Sequence, residues 1–163
     1  MNRRTFVFLT SMGSMAAPMW GQKKYTGPRP PKPDLPYLLH GANLIPTEIG
    51  EAKEEQRKDE TANIVAGAAS SARTPLAEPI FLMESEKLAN KMELYRMEVK
   101  NGNREVSLPN NPKKRKDNQR PLRLSISRAA PGLFRLEADQ GLENGEYCLT
   151  PSGSNQVFCF QVY

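Results

Sequence analysis

Apolar and polar side chains alternate in three pairs of segments after Met92, and each pair predicts a β-hairpin. In the first pair, the segments flank Asn101-Gly102, two residues that tolerate the positive φ angles of a tight hairpin turn. Folding the chain there brings the apolar side chains onto one face, with Tyr95 opposite Leu108, Met97 opposite Val106 and Val99 opposite Arg104.

The second pair of alternating segments lies on either side of Pro131-Gly132. Matching their apolar faces sets Leu124 opposite Leu136 and Ile126 opposite Phe134. That register requires a loop with an odd number of residues, centred on Ala130.

The third pair of segments flanks residues 151–154. A symmetric fold sets Tyr147 opposite Phe160 and Leu149 opposite Phe158 on an apolar face. It sets Cys148 opposite Cys159 on the other face, at a spacing that a disulfide bridges. The sequence therefore predicts a structural disulfide, with two free thiols or a redox-active pair as the alternatives.

The chain before Met92 has a weaker pattern. Short apolar runs at Ile64-Val65 and Ile80–Met83 predict strands, and residues 67–75 between them are small side chains typical of a loop. Residues 51–60 are almost wholly polar or charged, so they predict an exposed helix or a mobile loop. Ser85 is placed to cap one short helical turn.

These elements predict an all-β fold. Short strands with turns about every 8–12 residues are typical of an immunoglobulin-like β-sandwich, here of about seven to nine strands in one domain at residues 37–163. A partly open barrel is the alternative. Five of the fourteen prolines fall in residues 23–36, and they predict an extended polyproline tether ahead of the domain.

The composition narrows the classes of function. With 38% hydrophobic and 25% charged residues, the 163-residue chain is neither a polytopic membrane protein nor wholly disordered. No phosphate-binding, dinucleotide-binding or zinc-protease motif occurs in the sequence. His40, the single histidine, and Ser70 have no partner at a recognisable spacing. No catalytic residue, metal ligand or cofactor is therefore predicted.

Residues 1–22 have the order of an export signal, with a basic start followed by a weakly apolar stretch. Arg3-Arg4, one further residue, and then Phe6 and Val7 form a pattern that resembles the twin-arginine signal of exported bacterial proteins. The resemblance covers residues 1–22 alone. It implies recognition by the export translocase and a periplasmic or extracellular location, with a membrane anchor if the signal is not cleaved. The alternatives are a general secretory signal and a cytosolic N-terminus.

One dense cluster of positive charge lies between the first two hairpins, in a protein of formal net charge +5. Its members are Lys113, Lys114, Arg115, Lys116, Arg120 and Arg123. Such a cluster can hold an anionic partner such as an acidic polymer, a lipid headgroup or nucleic acid. Because no aromatic side chain interrupts the run to stack on bases, nucleic acid is the least favoured partner. A solvated loop with no partner is the alternative.

Together these patterns predict an exported bacterial protein with a non-catalytic binding or scaffolding domain at the cell envelope. The expected partner is an envelope protein or polymer that the sequence does not identify. The alternatives are a polyanion-binding module that uses residues 113–123, and an enzyme whose site is assembled from separated loops.

Overall fold

The computed structural model describes residues 24–163, which form thirteen β-strands, one short helix and two 3-10 turns. The strands are β1 (Tyr37–His40), β2 (Asn43–Pro46), β3 (Glu48–Glu51), β4 (Lys53–Gln56), β5 (Glu60–Val65), β6 (Arg73–Thr74), β7 (Ile80–Met83), β8 (Met92–Lys100), β9 (Asn103–Pro109), β10 (Leu124–Ala130), β11 (Leu133–Ala138), β12 (Gly145–Pro151) and β13 (Gln156–Val162). The helix is α1 (Glu86–Ala89), which Ser85 caps as expected, and the 3-10 turns are Pro112–Lys114 and Asp117–Gln119.

The strands form two sheets. The smaller has five antiparallel strands in the order β10-β11-β7-β1-β2. The larger has eight strands in the order β3-β13-β12-β8-β9-β5-β4, with β6 added in parallel beside β13. Strand β6 lies inside the segment 67–75 that the sequence predicts as a loop, so that prediction is wrong at Arg73 and Thr74.

The larger sheet curls until its two ends share one segment of chain. Residues 48–56 pair with β13 through β3 and with β5 through β4. Between the two strands, the Ala52 amide donates to the Asn155 carbonyl oxygen at 2.8 Å. We call this curled sheet the barrel. Residues 51–60 are therefore strand and turn rather than a helix or loop, because pairing with two distant strands supplies the order that their polar side chains do not.

The five-stranded sheet packs against one wall of the barrel, which makes the whole a sandwich-like barrel. Phe81 of the sheet meets Phe160 of the barrel wall edge to face, with ring centroids 4.9 Å apart, and Tyr147 stacks on Phe160 at 5.6 Å. These aromatic contacts lie in the largest apolar core of the protein. The expected all-β sandwich is confirmed, with thirteen strands rather than seven to nine. The immunoglobulin-like arrangement of those strands is not confirmed, because one sheet curls into a barrel.

The first hairpin has the expected turn and a shorter ladder than expected. Both Asn101 and Gly102 have positive φ, at 50° and 76°, and Val99 lies opposite Arg104. The pairing ends at Glu98 and Glu105, so the expected pairs Met97–Val106 and Tyr95–Leu108 are absent.

The two strands of this hairpin diverge because each forms a longer ladder with another strand. Over its first part β8 pairs with β12, and β9 pairs with β5 along almost its whole length. In the gap, the Leu122 amide donates to the Leu94 carbonyl oxygen at 2.7 Å. The barrel is therefore open between β8 and β9, as in the alternative fold, and residues 110–122 lie at the opening.

The second hairpin has a register two residues away from the expected one. Ile126 lies opposite Leu136 rather than Phe134. The loop contains only Pro131-Gly132, with Gly132 at φ 73°, and a bulge between Arg128 and Ala130 takes up the odd residue. Because side chains alternate with a period of two, this shift leaves every side chain on its expected face.

From Tyr25 onward, the proline-rich segment packs on the five-stranded sheet and does not extend away from it as a tether. Pro30 and Leu35 are buried, and Tyr25 packs against the outer face of the five-stranded sheet beside Leu82 and Leu133. The Tyr25 hydroxyl donates to the Pro28 carbonyl oxygen at 2.8 Å. The segment binds the sheet because that face has apolar side chains on its outer side too.

No helix among residues 24–163 is long and apolar enough to cross a membrane.

Candidate functional site

The side chains that point into the barrel form a second apolar cluster, separate from the core between the sheets. On β12 and β13, Tyr147, Leu149, Phe158 and Phe160 face the five-stranded sheet, so the residues between them face the barrel interior. The interior cluster consists of Ala52, Val65, Tyr95, Met97, Val106, Cys148, Val157 and Cys159. The barrel is therefore lined by apolar side chains across its middle.

A disulfide between Cys148 and Cys159 crosses the inner surface of the barrel wall. The two residues lie directly opposite each other on β12 and β13, their Cα atoms are 4.0 Å apart, and the S–S bond is 2.00 Å long. The predicted disulfide and the predicted register of the third hairpin are both confirmed. Closing so short a loop contributes about 2–3 kcal/mol to stability on the loop-entropy estimate.

A buried arginine closes one end of the barrel. The Arg104 guanidinium donates to Glu48 Oε1 and Ser70 Oγ, both at 2.5 Å, and two further N–H groups donate to the carbonyl oxygens of Gly67 at 3.0 Å and Ala66 at 2.7 Å. The Ser70 hydroxyl in turn donates to Glu146 Oε2 at 2.7 Å. This end of the barrel is filled by a polar cluster in which one guanidinium faces two carboxylates. Among residues 24–163, Glu146 Oε1 is buried without a hydrogen-bond partner.

The environment of Glu48 favours its ionised form. Burial raises the pKa of this carboxyl, but the hydrogen bonds from Arg104 and from the Ser71 amide outweigh burial, so the net shift of the pKa is downward. Ser70 is itself only 4% exposed and both its amide and its hydroxyl bind Glu146. Ser70 therefore has a structural role here.

The other end of the barrel is an open cavity of about 1300 Å³. Its floor is the apolar cluster, including Tyr95, Met97, Val106 and Val157. Its rim has polar and charged side chains, among them Glu51, Glu54, Asn63, Glu93, Arg115 and Asn155. An apolar floor below a polar mouth can hold a small molecule that has both an apolar and a polar part.

Tyr95 joins the floor of the cavity to its rim. Its hydroxyl donates to Glu93 Oε2 at 3.0 Å. Burial, followed by the charge and the hydrogen bond of Glu93, raises the pKa of Tyr95 to about 12, while the charge of Arg115 acts in the opposite direction. Tyr95 is therefore an uncharged hydrogen-bonding group at neutral pH, and it lies close enough to Arg115 for the two groups to interact electrostatically.

The basic cluster divides between the solvent and the cavity. Lys113, Lys114, Lys116, Arg120 and Arg123 are exposed, whereas Arg115 is half-buried and lines the cavity mouth. Arg120 faces Asp117 at 3.9 Å. Lys116 borders a small depression whose other side chains include Glu60, Glu98 and Glu105. The surface around the cluster is thus less uniformly positive than the run of basic residues in the sequence predicts.

The cavity is the feature that the sequence analysis missed. The sequence does contain a signal for it. Cys148, Val157 and Cys159 are apolar and alternate with the apolar residues of β12 and β13 that face the main core, so both faces of these strands are apolar. A strand that is apolar on both faces is covered on both faces.

His40 is exposed at the end of β1. Arg3, Arg4, Phe6 and Val7 of the proposed export signal lie outside the described residues. Within residues 24–163 no group of three or more histidine, cysteine or acidic side chains is arranged to hold a metal ion.

Comparison with protein-family models, with curated proteins and with solved structures found no match to this chain.

Proposed function

We propose that this chain is an exported, non-catalytic binding domain of the bacterial cell envelope, and that its binding site is the open end of the barrel. The cavity of about 1300 Å³ carries the proposal, because its apolar floor and polar rim suit a small amphipathic molecule.

The reactive side chains inside the barrel support binding rather than catalysis. The two cysteines are joined in the disulfide, and the Ser70 hydroxyl is buried between Arg104 and Glu146. Neither offers a free nucleophile to a bound molecule. The hydroxyl of Tyr95, with a pKa of about 12, is a weak acid that suits hydrogen bonding better than proton transfer near neutral pH.

Two observations support export. The pattern of Arg3, Arg4, Phe6 and Val7 resembles the twin-arginine signal. The disulfide is the second observation, since such bonds persist in oxidising compartments such as the periplasm.

The binding site is tested by blocking the cavity. Asn63 lies on β5 and lines the cavity, while the next residue, Ile64, points to the opposite side of the same strand. Asn63→Trp is expected to fill part of the mouth, and Ile64→Trp serves as the matched control. We expect ligand-observed NMR with a set of alkyl and aryl fragments to detect binding to the wild type and to Ile64→Trp, with signals reduced several-fold in Asn63→Trp. Fragment signals equal in all three proteins would contradict the proposal.

Polyanion binding is a second candidate, favoured by the exposure of Lys113, Lys114 and Lys116 on one loop. Binding to a duplex DNA probe would then weaken with salt, and replacing these three lysines with serine would flatten the dependence of log K on log salt by up to about 3 units. An unchanged slope in the variant would exclude this surface.

A further inference from the structure

We infer that the cavity selects molecules with an anionic head group, and that Arg115 is the residue that selects them. This inference rests on the proposed binding function and names the class of ligand: an anionic amphiphile, whose apolar part lies on the floor of the barrel.

The position of Arg115 is fixed by the loop around it. The residue lies between two 3-10 turns, Pro112–Lys114 and Asp117–Gln119. The Asn111 side chain caps the first turn by accepting from the Lys113 amide at 3.0 Å, and the Arg115 amide donates to the Pro112 carbonyl oxygen at 3.3 Å. The neighbouring lysines project into solvent, whereas Arg115 turns toward the cavity.

The Arg115 guanidinium has an unmet need for an acceptor. Its Nε atom is buried without a hydrogen-bond partner among residues 24–163, and no carboxylate in that range lies within ion-pair distance of Arg115. The charge of this guanidinium at the cavity mouth is therefore not paired within residues 24–163. A ligand carboxylate or phosphate at the mouth would supply the missing counter-charge and would accept a charge-assisted hydrogen bond from the guanidinium.

The carboxylates of the rim do not have the same need. Glu93 already accepts the hydrogen bond of Tyr95, and Glu51 and Glu54 are exposed to solvent, which screens their charges. The unmet polar requirement of the mouth is therefore that of a donor. Below it, Tyr95, Met97, Val106 and Val157 offer an apolar surface that suits an alkyl or aryl body.

Three probes with the same alkyl chain separate the head group from the apolar body: decanoate, decanol and decyltrimethylammonium. By isothermal titration calorimetry, we expect the wild type to bind decanoate about tenfold more tightly than either of the others. Arg115→Gln is expected to weaken decanoate binding about tenfold and to leave decanol binding unchanged. The exposed neighbour Lys114 supplies the control, since Lys114→Gln retains the preference for decanoate.

The possible results are distinguishable. Equal binding of decanoate and decanol, or an unaltered preference in Arg115→Gln, would overturn the inference and leave the binding site standing. Tighter binding of decyltrimethylammonium would overturn it in favour of the rim carboxylates. If none of the three probes binds, both the inference and this form of the proposed site fail. Thermal unfolding of Arg115→Gln at the wild-type temperature would show that any change in affinity is local.

Discussion

Arg104 is the most deeply buried charged side chain in the described part of the protein, at 1% exposure. A guanidinium has five N–H donors, and four of them form hydrogen bonds here, to two carbonyl oxygens, a hydroxyl and a carboxylate. Glu146 Oε2, at 3.9 Å from Nη1, adds a second negative charge. Such a group is stable only while its partners are present, because an unpaired buried charge is strongly destabilising.

Removing Arg104 should therefore destabilise the fold severely. Arg104→Met is expected to lower the free energy of unfolding by about 3–5 kcal/mol, because Glu48 and Glu146 would lose their common counter-charge. The exposed Arg120 provides the control, and Arg120→Met should change stability by less than about 1 kcal/mol. Urea unfolding followed by circular dichroism measures both variants. If both variants lose the same free energy of unfolding, the buried cluster contributes no more to stability than an exposed arginine does.

The same cluster predicts how stability depends on pH. The pKa of Glu48 is lowered in the folded state from the ordinary glutamate value of 4.5, so its contribution is present above that value and is lost as pH falls through the lower, folded pKa. The pKa of Glu105 is also lowered, by Arg57 and Lys100, and acts in the same direction. We expect the free energy of unfolding to fall as the pH drops below about 5.

Glu48→Gln should remove part of this dependence, leaving the part that Glu105 supplies. The exposed Glu78 offers a control, since Glu78→Gln should leave the slope of unfolding free energy against pH as in the wild type. Urea unfolding at several pH values between about 3 and 6 measures the slope. A Glu48→Gln slope as steep as that of the wild type would refute the assignment.

At the scale of single elements, the sequence predicts those strands whose pairing is determined by residues close together in the chain. Asn101-Gly102 defines its own turn, and the alternation on β12 and β13 alone sets Cys148 opposite Cys159. The register of the second hairpin was wrong because the bulge between Arg128 and Ala130 has no signature in the alternation. Strand β4 was missed because all four of its residues are exposed and its order comes from β5.

The candidate site was harder to predict than the fold for a related reason. Arg115 belongs to a run of similar basic residues, and only the two flanking turns distinguish it from Lys114 and Lys116. The cavity depends on which of two apolar faces turns inward, and that is decided by the curl of the sheet, through pairing between distant strands.

The proline-rich segment gives a prediction for an element. Tyr25→Ala should expose part of the outer face around Leu82 and Leu133, and we expect a loss of about 1–2 kcal/mol in the free energy of unfolding. Lys32→Ala lies in the same segment but changes an exposed side chain, so it should have little effect. Chemical unfolding compares the two variants. If Tyr25→Ala is as stable as Lys32→Ala, the segment does not contribute to the fold.

In the molecule as a whole, the two sheets differ in what covers their faces. The five-stranded sheet is covered on one face by the barrel and on the other, in part, by the proline-rich segment. The barrel has the main core outside its wall and the cavity within. The proposed site is thus held by a wall that is packed on its outer side, which favours a preformed cavity over one that opens on binding.

The proposed export is tested on the intact protein. A tagged full-length chain should be found outside the cytoplasm, and the double variant Arg3→Lys, Arg4→Lys should accumulate inside if the twin-arginine route is used. Cell fractionation with periplasmic and cytoplasmic marker proteins measures the distribution. Export of both forms would indicate the general secretory route, and retention of both would contradict export.

The shared segment at residues 48–56 also determines when the protein can fold. Its β3 half pairs with β13, about 110 residues later in the chain, so the ribosome must deliver β13 before the barrel can close. The last hairpin brings the second cysteine of the disulfide at the same stage. During synthesis, all five strands of the smaller sheet are therefore complete before β12 and β13, the strands they pack against, have been made. Closure of the barrel, formation of the cavity and burial of the main core should then occur together, as one late and cooperative event.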